Sequence, residues 1–186
     1  LKNKTITLPT VLCYGHITGG GWATGTIGVL VVNADTCTIT QISATNFETG
    51  LKLLGAGKGT AYCTINLGFL YNNKRNLVLS TDTTGWSNQN LFMGGRLAYL
   101  SSEGTSVAGT AQIVIEDSAS SKPNNNTFIN VSVEGNVPEW HIDCSGVNNV
   151  FINTRFEAST GPRVRWANSA SSNMILNGYS ADAITE

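Results

Sequence analysis

A chain of 186 residues is long enough for one domain with a sizeable core, and 41% hydrophobic against 12% charged residues argues against disorder. A net charge of −1 supplies no basic patch to hold nucleic acid by its phosphates, and no apolar run reaches the roughly 18 residues of a membrane span. The remaining polarity is Asn, Thr, Ser and Gly, a mixture rich in turns and strands and poor in strong helix formers.

In chain order, the sequence opens on a strand-like run, LKNKTITLP, and then repeats one pattern. GHITGGGW carries an anchor at Ile17, CTITQIS at Ile39, CTINLGFL at Ile65 and NLFMGGRL at Phe92. NTFINVSVE follows with Phe128, NVFINTRFE with Phe151 and NMILNGY with Ile175, before a final strand-like ADAITE. Gly19, Gly94, Asn130, Asn153 and Asn177 each sit two positions after an anchor, with Gln41 and Leu67 as the exceptions. A second apolar run follows each anchor after roughly 14 residues, or later across the longest step: VLVV, LKLL, LVLS, IVIE, WHID and VRW, most with the alternation of a strand.

Two strands per repeat of roughly 25 residues describe coils of a parallel β-helix, in which each coil buries its apolar face only by stacking on its neighbours. The expected fold is therefore all-β: a right-handed parallel β-helix of about seven coils spanning 1–186 as one domain, a piece of a longer chain. Two positions before the anchors stand Gly15, Cys37, Cys63, Asn90, Asn126, Asn149 and Asn173. Stacked about 4.8 Å apart, these asparagines can hydrogen-bond along the pile and tolerate a left-handed corner. Cys37 and Cys63 share that column, as stacked thiols in preference to a disulfide. An antiparallel sandwich would explain the strands but not the aligned columns.

With Leu53, Leu79, Ile115, Ile142 and Val164 pointing inward, one outward column reads Val32, Leu54, Ser80, Glu116, Asp143, Arg165. Beside it run Leu30, Lys52, Val78, Val114, His141 and Arg163. Glu116 and Asp143 on adjacent coils would lie about 5 Å apart, the separation of a retaining glycosidase pair, with Arg165 and His141 in support. No cofactor is expected; the alternative is Ca²⁺ on Glu116, Asp117 and Asp143, with an arginine as the base of a lyase. The plainer reading is a ladder of ion pairs in which Arg165 neutralises Asp143. Two insertions, at 101–112 and 117–126, border this face, and Glu103 in the first is a further acid candidate. On the other sheet the column Gly21, Ser43, Phe69, Arg96, Ser132, Arg155, Tyr179 offers Arg96, Arg155 and Tyr179 to sugar rings or to a subunit contact.

Laid out in this way, the chain resembles the pectate-lyase-like right-handed β-helices. NLFMGGRLAYL and NNTFINVSVEG in particular are similar to coils of bacteriophage tailspikes and capsule depolymerases. The resemblance implies a homotrimeric part of a virion tail, or otherwise extracellular, that binds a bacterial surface polysaccharide and in many members cleaves it. The alternatives are a secreted cellular polysaccharide lyase or hydrolase, and a non-catalytic stalk or adhesin.

Overall fold

The computed structural model describes residues 5–6, 11–15, 17–18, 21–99, 108–118, 121–135, 139–157 and 163–180. Glu103 and the terminal run at 181–186 lie outside the described residues. The chain is an all-β parallel β-solenoid of about five turns, against the seven expected. Among the described residues there is no helix, and so none long and apolar enough to cross a membrane.

The anchors do stack. Ile6, Ile39, Ile65, Phe92, Phe128, Phe151 and Ile175 are direct partners on successive parallel strands. The first member is Ile6, not Ile17, which instead pairs antiparallel with Trp22. Gly15 likewise leaves the column beside Cys37 and donates its N–H to the Thr45 carbonyl at 2.7 Å. Phe92, Phe128 and Phe151 are fully buried and stacked, with centroids 4.7 and 4.5 Å apart and both pairs tilted by 8°.

Beneath that stack runs the asparagine ladder. Asn126 Oδ1 accepts from Asn90 Nδ2 at 3.0 Å, Asn149 Oδ1 from Asn126 Nδ2 at 2.9 Å, and Asn173 Oδ1 from Asn149 Nδ2 at 3.1 Å. Each of those oxygens also accepts the backbone N–H of the preceding ladder residue, and Asn90 Oδ1 accepts that of Cys63, which extends the ladder to the thiols. Cys37 and Cys63 are buried and not joined by a disulfide. The ladder asparagines do not themselves form the left-handed corners. Those fall one residue earlier, at Thr36, Tyr62, Gln89, Asn125, Asn148 and Ser172, and again two after the anchor, at Gln41, Gly94, Asn130, Asn153 and Asn177. Asn suits both jobs, so the sequence pattern merges them.

Each later coil carries three strands, where two were expected. After the anchor strand Thr127–Ile129 and its corner comes Ser132–Glu134, then Trp140–Cys144. In the earlier coils the first two fuse into the long strands Thr38–Thr45 and Thr64–Tyr71, with Gln41 at a bulge. The third strands, Ile27–Val32, Thr49–Gly55, Arg75–Thr81, Ala111–Ile115, Trp140–Cys144 and Val164–Trp166, form a separate six-stranded parallel sheet. Where this sheet meets the second strands, a second buried polar chain runs from Asn73 through Asn76 and Gln112 to the Glu134 carbonyl.

Candidate functional site

The outer face of the six-stranded sheet carries a groove of about 460 Å³. Its apolar floor is Ala111 and Val114 with the half-buried ring of Trp140, packed on Val78. Val78, expected in an exposed column, is fully buried in this cluster. Glu116 stands on one side, its Oε1 2.8 Å from Arg75 Nη1 and its Oε2 3.7 Å from Lys52 Nζ. Asp143 stands on the other, gripped at both oxygens by Arg165, at 2.7 Å to Nε and 2.6 Å to Nη2. This two-pronged bond is the main reason the Arg165 pKa is raised above its ordinary value. The same guanidinium lies 5.1 Å from the centre of the Trp140 ring, within cation–π range. Glu139 ties down the end of the 101–112 insertion: its Oε2 accepts the Gly109 N–H at 2.6 Å, and its N–H donates to Thr110 Oγ1 at 2.9 Å.

Glu116 and Asp143 thus line one groove, but they are not partners across the sheet. Asp143 is registered with Val114 and with Arg165, while Ile115 pairs with Cys144, so Asp143 falls two residues from the row expected. The cause is corner length. Cys144 comes 16 residues after Phe128, whereas Leu79 comes 14 after Ile65. A slip of two preserves the alternation of a strand, so every inward residue stays inward and the shift leaves no trace in the pattern.

His141 departs further from expectation, because it is buried instead of facing the groove. Its Nδ1 accepts the Arg163 N–H at 3.0 Å, and burial pulls its pKa down to about 4, so the ring is neutral at pH 7. Consecutive Gln112–Ile113 and His141–Ile142 are all buried, which breaks strict alternation at this end of the strands. Glu116, Asp117 and Asp143 do not gather as a cation cage: among the described residues no group of three His, Cys, Asp or Glu side chains is placed to hold a metal ion.

On the second-strand face, Arg96, Ser132, Arg155 and Tyr179 are partners in register, and Phe69 joins them. Leu12, not Gly21, is the backbone partner of Ser43 there. Sequence reasoning missed Glu134, whose buried carboxylate accepts from Arg96 Nε at 2.5 Å, Arg155 Nη1 at 3.2 Å and Ser132 Oγ at 2.5 Å. The two arginines are therefore cross-braced by one acid, and Tyr179 remains exposed beside them. Arg75, Trp140 and Glu139 were also missed as groove residues. Only the register places them there.

No protein-family model, no curated protein and no solved structure matches the chain.

Proposed function

We propose that the protein is a tailspike-like β-helix that binds a bacterial surface polysaccharide along this groove, extracellularly and as part of a virion tail. The observation that carries the reading is the pairing of Arg75–Glu116 with Asp143–Arg165 across an apolar floor bearing Trp140. Rigid charged donors and acceptors above an apolar base suit a ligand with hydroxyls around hydrocarbon rings. Both oxygens of each carboxylate already have cationic partners, which favours recognition over proton transfer at this pair. A depolymerase reading requires one of the two acids to leave its partner when substrate enters.

The test is retention of the protein on immobilised capsular and O-antigen polysaccharides. The wild type is retained, and Arg165→Ala and Arg75→Ala each weaken retention at least tenfold. Equal retention of both variants, or no retention of the wild type, overturns the proposal. Release of new reducing ends, abolished by Glu116→Gln or Asp143→Asn, would assign cleavage to the same groove.

A homotrimer or a stalk is favoured by one further observation, the exposure of Leu30 (49%) and Val32 (40%) beyond the groove on the same sheet. Light scattering on the intact protein decides: a trimer mass supports the assembly, and a monodisperse monomer contradicts it.

A further inference from the structure

The groove does not account for a second concavity, of about 560 Å³, at the corner that follows the third strands, between Asp35, Lys58, Tyr62 and Trp86. We infer that this cleft is a separate saccharide site, which takes one pyranose ring of an oligosaccharide between Tyr62 and Trp86. Its volume lies within the roughly 300–1,000 Å³ of small-ligand sites.

Tyr62 breaks the rule of its own column. The residue before each ladder position has a positive φ, and in the other coils it is Thr36, Gln89, Asn125, Asn148 or Ser172, all small or polar. Tyr62 holds φ 55° with an aromatic side chain that is 58% exposed. An exposed aromatic at a strained backbone position contributes little to the core, and retained strain of this kind clusters at ligand sites.

Trp86 is held in place for the same cleft. Its strand partner is Gly59, where an added Cβ would lie 2.0 Å from Trp86 Nε1. Gly55 is equally constrained, since a Cβ there would lie 2.1 Å from the Trp86 carbonyl oxygen. The indole therefore rests on a strand with no side chain beneath it, while 44% of the residue remains exposed. Pre-positioning of this kind lowers the ordering cost of binding.

The polar groups identify the ligand class. Asp35 accepts from the Thr36 hydroxyl at 2.9 Å, and Lys58 has no ion pair among the described residues. A pyranose ring presents C–H faces to aromatic rings and equatorial hydroxyls at its rim to a carboxylate and an ammonium. A purely apolar ligand would use neither charge. The inference shares with the groove reading only the assumption that the ligand is a glycan.

The test is binding to an array of printed oligosaccharides containing neutral hexoses, N-acetylhexosamines and uronic acids, using the intact wild type, Trp86→Ala, Tyr62→Asn and Arg165→Ala. The expected result is a bound glycan whose signal falls at least tenfold in Trp86→Ala and in Tyr62→Asn. Tyr62→Asn should at the same time melt no lower than the wild type, since Asn suits the left-handed corner, so its loss of binding is not a loss of fold. Loss confined to Arg165→Ala would overturn the cleft and leave the groove standing. Loss confined to the two cleft variants would support the cleft and count against the groove. No binding to any printed glycan would overturn both.

Discussion

Asn126 holds Asn90 twice: its Oδ1 accepts the Asn90 backbone N–H at 3.1 Å and the Asn90 side-chain amide at 3.0 Å. Both residues are fully buried, so water cannot replace a lost partner. Asn126→Ala strands those donors, while the Ser87 carbonyl loses the Asn126 amide at 3.2 Å but keeps the Asn124 N–H at 3.2 Å. At about 1–3 kcal/mol per unsatisfied buried group, the expected loss is about 3–4 kcal/mol. Asn173→Ala, at the half-buried end of the ladder, should cost about 1 kcal/mol. Urea midpoints with an unchanged m-value provide the comparison.

The aromatic stack makes a second prediction. Phe128 sits between Phe92 and Phe151 with no exposure, so Phe128→Ala leaves a cavity flanked by two rings and should cost about 3–5 kcal/mol. Ile65→Val, one coil before Phe92, removes a single methylene and should cost about 0.5–1.5 kcal/mol. Similar losses for the two substitutions would mean the rings are not packed as described.

These two columns are also what the sequence displayed best. Anchor and ladder residues belong to one corner and one strand, joined without a gap, so their spacing is the same in every coil. The six-stranded sheet was legible as a set of strands but not in register, because Trp140–Cys144 enters after a longer corner and a slip of two keeps the alternation intact. Neither the Asn73–Asn76–Gln112 chain nor the Tyr62–Trp86 cleft could be read. Each joins residues from corners whose proximity depends on the way coils stack, and no local periodicity records that.

His141 gives the account a pH dependence of defined sign. The unfolded ring takes up a proton near pH 6.5, while burial delays protonation of the folded ring to about pH 4. Stability from this group is full above about pH 6.5, is lost as pH falls towards 4, and changes no further below that. The interval corresponds to about 3 kcal/mol. Urea midpoints between pH 7 and pH 4 should fall steeply in the wild type and less in His141→Asn. Parallel slopes for the two proteins would place the titration elsewhere.

The buried thiols should be chemically silent. Burial pushes Cys63 up to about 11 and Cys144 up to about 12, so neither is a thiolate at pH 8. An aromatic disulfide reagent at that pH should leave both unmodified in the folded protein and label them on addition of denaturant. Labelling of Cys63 or Cys144 at the rate of a free thiol, without denaturant, would contradict the packing described for the ladder.

The claim that the groove is the binding surface is tested most directly by hydroxyl-radical footprinting of the protein with and without a retained polysaccharide. Trp140 lies in the groove, whereas Met174 lies exposed on the last anchor strand and serves as the reference. Bound polysaccharide should slow oxidation of Trp140 several-fold and leave Met174 unchanged. Oxidation of Trp140 at an unaltered rate, with polysaccharide demonstrably bound, would contradict the assignment.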